Sequence, residues 1–366
     1  MSEARSERRM PSASAAEAGR RLRLGRLAAG LSQSRLADMC GVSRQAVAGA
    51  EAGTWSPSLT VALALARALG TTVEQLFAPQ SRVQEVTATS LLPMGAAVRA
   101  RVVRVWDRWI GLPLVGDHAA EAGFSTATGR VGTAGSTSEL WGTGRSLLVA
   151  GCDPALPLLG GPVAGIGEGW NLDWWPCGSG EASRLLRGQL VHAAAVHYPT
   201  ADRDQHLRNS ALASIGFARW REGLLLRPDR SPEVNSLTEA ARQGLRWVNR
   251  EVGAQARALL DLELAALGIG GPELLGYASE AGGHLQVASA VSAGLADVGI
   301  ATEPAALAYG LRFVALSEEE CVIQVARDRL ESPEVRLLLS VLGGPQLRRE
   351  LTALPGYDPA ILGEDL

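Results

Sequence analysis

The apolar and polar positions from Ser32 to Glu51 predict two short helices joined by a tight turn. Ser32 and Ser43 each stand just before one of the helices, where a hydroxyl accepts a hydrogen bond from the first free N–H groups. Gly41 stands at the turn, which requires a left-handed backbone conformation that glycine adopts without strain. Ala37 is small enough to let the two helices cross closely. The spacing therefore predicts a helix, a tight turn and a second helix.

The pattern changes in the rest of the chain. From Val83 to about Trp141, valines and tryptophans followed by turns rich in glycine, serine and threonine predict short strands and loops. From Ser146 onward, apolar runs of strand length alternate with helical segments, which predicts parallel sheets covered by helices on both faces. The remaining length, about 220 residues, favours two lobes over a single sheet. The expected strands of this half are 146–150, 171–175, 193–197, 223–226, 245–248, 296–300, 311–316 and 322–325.

These patterns predict a multidomain chain with three folded parts. A disordered lead is expected at residues 1–18, because they are small, polar and charged. An all-α domain follows at 19–80, with Pro79 ending its last helix. We expect a small β-rich connector at 81–145 and a two-lobed α/β domain at 146–366.

Charge is distributed unevenly along the chain. Residues 1–80 hold 10 arginines and 6 acidic residues, a balance of +4, whereas residues 81–366 hold 25 and 32, a balance of −7. A basic head on an acidic body directs one end toward DNA and keeps the rest away from it.

Other features of the composition indicate a cytoplasmic protein. No apolar run reaches the roughly 18 residues of a membrane span, and the N-terminus lacks the hydrophobic region of a signal peptide. We therefore expect no association with a membrane. The four cysteines show no CxxC pairing and are expected to be reduced thiols.

Residues 32–51, with the flanking segments 20–31 and 59–77, resemble the five-helix DNA-binding domain of the Xre and lambdoid-repressor family. In that family the second helix of the motif lies in the major groove and the first helix crosses the DNA backbone. The resemblance therefore implies that residues 19–80 bind double-stranded DNA.

The resemblance also implies a role for each exposed position of the helix pair. Gln33 would contact phosphate or the DNA backbone, and Ser43, Arg44 and Gln45 would face base edges. Arginine pairs bidentately with guanine and glutamine with adenine, so Arg44 and Gln45 are the expected base readers. Gly49 is too short to reach a base and is expected to allow a close backbone approach. With so few base-reading side chains, we expect a homodimer that binds two half-sites.

Residues 147–366 resemble the periplasmic-binding-protein-like domain that occurs fused to helix-turn-helix domains and is related to molybdate-binding proteins. The matching segments are 149–155, 178–179, 192–197, 248–251 with Gly253 and Arg257, His284 with 293–299, and 356–358. The resemblance implies a one-component transcription regulator. Its operator binding would respond to a small polar molecule or an oxyanion held between the two lobes.

Four turns between strands and helices form the expected ligand site. In a doubly wound sheet, ligands settle at the carboxyl ends of strands, facing helix N-termini whose free N–H groups favour polar or negative groups. Such turns lie at 151–153, 177–179, 253–255 and 282–284, two in each lobe. The candidate ligand-binding residues are Cys152, Asp153, Gly178, Ser179, Gly253, Ala254, Gln255 and His284.

The side chains on these turns favour an uncharged or mixed polar ligand over molybdate. Relatives that hold oxyanions use hydroxyl groups here, whereas this chain keeps Ser179 but has Ala254 and Ala256. Asp153 would also repel an anion if it faced the cleft. The polar groups that could bind such a ligand are those of Gln255, His284, Asn249 and Arg250, although Arg250 could instead pair with Glu251. Five tryptophans could stack on the ligand or pack in the core: Trp170, Trp174, Trp175, Trp220 and Trp247.

Two other classes of function remain as alternatives. The α/β half could be a ligand-free dimerisation scaffold, or an enzyme with a DNA-tethering head. No Gly-x-Ser-x-Gly elbow, P-loop or GxGxxG loop occurs, so we expect neither catalysis nor a cofactor. A thiolate metal site involving Cys152, Cys177 and Cys321 is conceivable, but buried free cysteine is common and we expect no metal.

Overall fold

The computed structural model describes residues 13–77, 84–122, 127–132, 137–140, 145–167, 169–207, 211–229 and 234–366. The chain divides into two compact units, residues 1–84 and 85–366, and each is considered by itself. None of the helices within the described ranges has the length and apolar character needed to cross a membrane. Pro79, expected to end the last helix of the first unit, lies outside these ranges.

The first unit contains five helices, which confirms the predicted all-α fold. They are α1 (Ala13–Ala28), α2 (Gln33–Cys40), α3 (Arg44–Glu51), α4 (Leu59–Ala68) and α5 (Val73–Phe77). Their shared core includes Leu22, Leu36, Val47, Leu65 and Leu76.

The helix pair α2–α3 has the local structure that its sequence predicts. The Ser32 and Ser43 hydroxyls each accept a hydrogen bond of 3.1 Å from the backbone N–H three residues further on. Gly41 adopts the left-handed conformation, with φ of 66°. Ala37 is buried where the two helices cross. The serine caps therefore begin α2 and α3, and the Gly41 turn ends α2, at the expected positions.

Residues 13–18 belong to α1 instead of the expected disordered lead. The cause is tertiary packing near the end of α3. A Cβ atom on Gly19 would lie 2.4 Å from the carbonyl oxygen of Glu51, and one on Gly53 would lie 2.8 Å from the backbone of Ala15. Two glycines thus let α1 approach α3 and the turn after it closely, and these contacts order the start of α1.

The β-rich segment forms a closed barrel. Its strands are β1 (Gln84–Ser90), β2 (Val98–Val105), β3 (Arg108–Pro113), β4 (Gly129–Val131) and β5 (Thr137–Leu140), in the spatial order β1-β3-β2-β4-β5, and α6 (Gly116–Ala122) follows β3. Some side chains of β2 and β3 point away from the core of the barrel. Val103, Val105 and Ile110 pack against Leu148 and Trp175 of the α/β domain. The connector is therefore part of the second unit and is not a free linker.

The α/β domain carries eight strands and nine helices within the described residues. Its strands are β6 (Arg145–Ala150), β7 (Trp170–Trp175), β8 (Ala193–Pro199), β9 (Leu212–Leu226), β10 (Trp247–Arg250), β11 (Glu280–Ala281), β12 (Val298–Thr302) and β13 (Arg312–Ala326). Its helices are α7 (Gly160–Ile166), α8 (Ser179–Arg187), α9 (Arg203–His206), α10 (Leu237–Arg242), α11 (Gln255–Ala266), α12 (His284–Ser292), α13 (Glu303–Ala308), α14 (Pro333–Leu342) and α15 (Pro345–Ala353). Helices cover both faces of the sheet in each lobe, as predicted.

Two long strands, β9 and β13, run through both lobes. They pair antiparallel from Arg312 opposite Leu226 to Ala326 opposite Leu212. In the first lobe β13 pairs with β8, and the sheet continues through β6 to β7. In the second lobe β9 pairs with β12, and the sheet continues through β10 to β11. The complete order is β11-β10-β12-β9-β13-β8-β6-β7, so the two predicted lobes share two strands.

These strands correct three details of the sequence analysis. The expected strands 311–316 and 322–325 are parts of the single strand β13, and 223–226 is the end of β9. The sheet is mixed instead of parallel, because β9 and β13 run antiparallel to each other and to their outer neighbours. Residues 317–320, Ser-Glu-Glu-Glu, read as a polar break between strands. In the structure, Glu319 and Glu320 are buried within β13.

Gly223 provides a test of the close contact between the shared strands. A Cβ atom at this position would lie 2.1 Å from the carbonyl oxygen of Val314. We expect Gly223→Ala to lower the free energy of unfolding by about 1–3 kcal/mol through overpacking. Urea unfolding followed by tryptophan fluorescence measures this change.

Gly165→Ala is the matched control, because nothing lies within 4 Å of the corresponding Cβ position in α7. It should leave the free energy of unfolding unchanged or raise it by up to about 1 kcal/mol, since alanine favours helix. Equal unfolding curves for the two variants would contradict the tight packing of β9 against β13.

Candidate functional site

The helix pair presents two of its predicted base readers to solvent. Arg44 and Gln45 form the first turn of α3, and both side chains are exposed. Ser43, the residue before them, is also exposed, but its hydroxyl oxygen already caps α3. Arg44 and Gln45 are therefore the side chains of this turn with polar groups free to reach a base.

Gln33 and Glu51 are joined by a buried polar link that the sequence analysis missed. The Gln33 amide donates to Glu51 Oε2 at 2.8 Å, and Arg26 donates to Glu51 Oε1 at 2.5 Å and to the carbonyl of Leu31 at 2.7 Å. Burial by itself raises the pKa of Glu51, but the hydrogen bonds from Arg26 and Gln33 outweigh it and lower that pKa below its usual value. The link ties α1 and the start of α2 to the end of α3. Because Arg26 and Glu51 are far apart in sequence, no local pattern indicates it.

Gly49 has a role inside the helical unit. A Cβ atom there would lie 3.1 Å from Cβ of Trp55, and its carbonyl oxygen accepts hydrogen bonds from the backbone N–H groups of Thr54 and Trp55. The turn after α3 thus folds back over Gly49. This packing accounts for the glycine without any close approach of DNA.

The turns of the two lobes meet in the α/β domain. A Cβ atom on Gly178 would lie 3.4 Å from Cα of Ala254 and 3.1 Å from Oε1 of Glu251. Gly253 and Ala254 precede α11 of the second lobe, whereas Gly178 precedes α8 of the first. Gln255 begins α11 and is half-buried. The lobes are therefore closed on one another at this edge of the cleft.

A buried polar cluster lies where the lobes meet. We define it as Cys152, His197, Glu222, His284 and Glu319. Donor atoms of Cys152, His197 and His284 lie within 4.8 Å of one another, and so do those of His197, Glu222 and Glu319. Each of the five side chains is at most 8% exposed. Of these five, sequence reasoning selected Cys152 and His284 and missed the two glutamates, which lie on the shared strands.

Hydrogen bonds orient one half of the cluster. His197 Nδ1 lies 3.2 Å from Glu319 Oε2, and the Ser317 hydroxyl donates to Glu319 Oε1 at 2.7 Å. The Ser179 hydroxyl accepts from the backbone N–H of His197 at 3.2 Å. On the other half, His284 Nδ1 lies 3.9 Å from Glu222 Oε1, which is beyond hydrogen-bond distance.

Burial and neighbouring charges shift the pKa values of this cluster in different directions. Burial and the nearby Glu319 raise the pKa of Glu222 to about 7, although His197 acts in the opposite direction. Burial and nearby positive charges lower the pKa of His284 well below its usual value. Burial also disfavours the His197 cation, but the charges and hydrogen bonds of Cys152 and Glu319 outweigh it and raise the pKa of His197 well above its usual value. The pKa values of the two imidazoles are therefore shifted in opposite directions.

Other candidate ligand groups are occupied by contacts within the protein. Asp153 accepts hydrogen bonds from the backbone of Ala155 and from the hydroxyl of Tyr357, both at 2.7 Å, and burial raises the pKa of Asp153 to about 6. Arg250 pairs with Glu251 through two hydrogen bonds of 2.8 Å, which is the pairing kept open by the sequence analysis. Both groups therefore support the turns, although Asp153 uses only Oδ1 and its buried Oδ2 has no hydrogen-bond partner among the described residues.

The tryptophans divide between the core and the cleft. Trp175 and Trp247 are buried in the cores of the first and second lobes, and Trp174 donates from Nε1 to the carbonyl of Gly151 at 2.8 Å. Trp220 packs beside His197, with ring centroids 5.6 Å apart. Of these tryptophans, Trp220 is the one whose ring packs against the polar cluster.

Helix α6 of the barrel segment lies at the mouth of the cleft. His118 stacks on Trp175 of the first lobe, with ring centroids 3.8 Å apart. A Cβ atom on Gly282 of the second lobe would lie 3.0 Å from Oδ2 of Asp117. A groove of about 380 Å³ runs between α6 and the turns at Gly178 and Gly253. One helix thus contacts both lobes.

Comparison with known protein families gives two matches. Residues 22–76 match a helix-turn-helix family, and residues 164–343 match a family described as a PBP superfamily domain. This chain is a helix-turn-helix protein with a PBP superfamily domain. The second match includes His197, Glu222, His284 and Glu319 of the polar cluster but not Cys152, and the two matches confirm both resemblances.

Two curated proteins of uncharacterised function are similar to this helix-turn-helix PBP protein. YvgK of Bacillus subtilis is 28% identical over 150 residues, which cover 41% of this chain and 48% of YvgK. An uncharacterised protein encoded in the 5′ region of a 2Fe-2S ferredoxin gene of Clostridium pasteurianum is 31% identical over 107 residues, which cover 29% of this chain and 95% of that protein. The chain therefore spans about half the length of YvgK.

Two solved structures align with parts of this chain. The effector-binding domain of QuiR in complex with shikimate is 10% identical and aligns over 58% of this chain and all of that domain, with a TM-score of 0.43. The controller protein C.AhdI of Aeromonas hydrophila is 42% identical over 18% of this chain and all of its own length, with a TM-score of 0.18. Shikimate binding is a property of QuiR.

The buried link around Glu51 provides a test of the helix pair. We expect Glu51→Ala to destabilise the first unit by about 1–3 kcal/mol, because it leaves Arg26 and Gln33 without their shared acceptor. Amide hydrogen exchange of peptides from residues 13–77 measures the loss of protection. Glu17→Ala is the matched control: Glu17 forms an exposed ion pair with Arg20, worth about 0–1 kcal/mol. A loss for Glu17→Ala as large as that for Glu51→Ala would refute the proposed importance of the buried link.

Proposed function

We propose that this protein is a one-component transcription regulator in which the two-lobed domain controls DNA binding by the helix pair. One observation supports the proposal above others. A single chain joins an exposed helix-turn-helix to two lobes that close over a buried cluster of polar groups. The first element is typical of sequence-specific DNA binding, and the second of ligand binding.

The electrostatics and geometry of the first unit support DNA binding. Residues 1–80 carry a balance of +4 in a chain whose net charge is −3. Arg44 and Gln45 are exposed at the start of α3, where residues of a recognition helix meet base edges. The Gln33 amide donates one N–H to Glu51 and keeps a second N–H for a phosphate, so its proposed role is to position α2 on the DNA backbone.

A two-lobed domain built on shared strands is suited to regulation. Lobes joined by β9 and β13 can rotate about that pair, and a ligand that contacts both lobes favours the closed arrangement. Contacts from α6 to Trp175 and to Gly282 would pass such a movement to the barrel segment. We further propose that the protein acts as a homodimer, because two base-reading side chains per head give little selectivity at one half-site.

The alternative of a ligand-free scaffold is less compatible with the cluster. A domain without a ligand would be expected to satisfy its buried polar groups internally. Within the described residues, the carboxylate of Glu222 and the imidazole of His284 have no hydrogen-bond partner. Their burial is explained if a ligand contacts them.

Substitutions in the helix pair test the DNA-binding proposal. We expect Arg44→Ala to weaken operator binding by about 1–3 kcal/mol and to relax preference at one base pair, because one bidentate contact is lost. Gln33→Ala should weaken operator and random DNA similarly. Arg67→Ala, which removes an exposed arginine of α4, is the charge-matched control and should change binding least.

Gel-shift titrations with the upstream region of the protein's own gene and with random DNA measure these effects. Binding to no upstream fragment at low salt would refute the proposed function. Equal losses on both DNAs for Arg44→Ala and Gln33→Ala would refute the division of roles between these residues.

A further inference from the structure

We propose that the buried polar cluster is a transition-metal site, with Cys152, His197 and His284 as ligands and Glu222 as the carboxylate that completes the coordination. The chemical class is a borderline-soft dication such as Zn²⁺. The inference deepens the proposed function, on which it rests for its regulatory role. As a binding site, however, it can be tested without DNA.

The positions of the three ligands fit a single ion. Tetrahedral Zn²⁺ with Zn–N and Zn–S bonds of about 2.0–2.3 Å holds its ligand atoms about 3.3–3.8 Å apart. Donor atoms of Cys152, His197 and His284 all lie within 4.8 Å of one another. Small side-chain rotations would bring these donor atoms to the separations of a tetrahedral site.

The second observation is the presence of buried groups without partners. Both carboxylate oxygens of Glu222 and both ring nitrogens of His284 are inaccessible to solvent and lack hydrogen-bond partners in the described part of the chain. Buried charges and polar groups are normally paired or coordinate a metal. A cation bound between His284 and Glu222 would give each of them one partner, and His284 Nδ1 lies only 3.9 Å from Glu222 Oε1.

The surroundings of His197 match those of a metal-bound histidine. Metal-ligating histidines commonly donate their second ring N–H to a carboxylate, which fixes the ring and its tautomer. His197 Nδ1 lies 3.2 Å from Glu319 Oε2, so Nε2 is the nitrogen left for a metal. The Ser317 hydroxyl holds Glu319 in turn at 2.7 Å. Glu319 is therefore a positioning residue.

The donor set selects the class of ion. One thiolate, two imidazoles and one carboxylate suit Zn²⁺ and other late transition-metal dications, whereas Mg²⁺ and Ca²⁺ take oxygen ligands. Arg250 would oppose a cation, but its charge is balanced by the paired Glu251.

The ligands come from both lobes. Cys152 follows β6 and His197 lies in β8, both in the first lobe, whereas His284 begins α12 of the second lobe. Glu222 lies on β9, one of the two shared strands. An ion bound by all four would hold the lobes in the closed arrangement.

Metal binding is tested on the purified full-length chain after chelator treatment. We expect one equivalent of Zn²⁺ by calorimetry and mass spectrometry, and a thiolate-to-metal charge-transfer band when Co²⁺ is added. Cys152→Ser should abolish that band, and Glu319→Gln, an isosteric change, should weaken Zn²⁺ binding by about 10–100-fold. Cys177→Ser is the matched thiol control, because Cys177 lies on the neighbouring turn and outside the cluster; it should retain both the band and the affinity.

Three results would overturn the proposal. They are Zn²⁺ uptake well below one equivalent, a Co²⁺ band that persists in Cys152→Ser, or an equal loss of the band in Cys177→Ser. Circular dichroism of each variant establishes whether it is folded. If Cys152→Ser does not fold, the Zn²⁺ affinity of Glu319→Gln tests the proposal instead. Operator titrations with and without Zn²⁺ separate the two proposals. If Zn²⁺ binds stoichiometrically through Cys152 but operator affinity does not change, the metal site is supported and its regulatory role is refuted. If the protein binds the operator but takes up no Zn²⁺, the DNA-binding function is supported and the metal site is refuted.

Discussion

The antiparallel pairing of β9 with β13 is the constraint on which the α/β domain depends. Each strand has 15 residues, so each is long enough to serve as an inner strand of both lobes. Backbone hydrogen bonds of the pair therefore continue across the boundary between lobes. Gly223 lets the two backbones approach closely near the end of β9, opposite Ala315. The register shifts near Ala315 and Cys321, at the ends of the central segment, are places where the strands can bend. Because the lobes share these strands, a movement of one lobe must be accommodated there.

The same crossing places charged side chains in the interior. Glu222 and Glu319 point inward from β9 and β13, and they meet His197 of the first lobe and His284 of the second. A charged group loses its hydration when the lobes close, so its stability depends on the partners that the cleft supplies. Glu319 has such partners in His197 and Ser317, whereas Glu222 and His284 do not among the described residues. The cluster is thus half satisfied by the protein and half available to a bound species.

The helical unit illustrates a different use of buried charge. Arg26, Glu51 and Gln33 connect three helices through a link that is almost inaccessible to water. This link sets the angle between α2 and α3, and through it the direction in which Arg44 and Gln45 point. Gly49, which we expected to face DNA, also makes room for the turn at Trp55. Residues behind the exposed face therefore support what that face presents, even though Arg26 and Glu51 are largely buried.

The sequence by itself determined the local structure of the chain. The serine caps, the left-handed Gly41 and the apolar periods define the helix pair, and the alternation of strands and helices defines a two-lobed α/β domain, because each depends on residues only a few positions apart. Tertiary structure decided the rest. Residues 317–320 separate the two expected strands by their polar pattern, yet they continue one strand because Glu319 and Glu320 find partners far away in sequence, His197 and Arg219. Cys152, His197, Glu222 and His284 likewise lie on four separate elements, so only the folded chain, in which shared strands close one lobe on the other, brings them together.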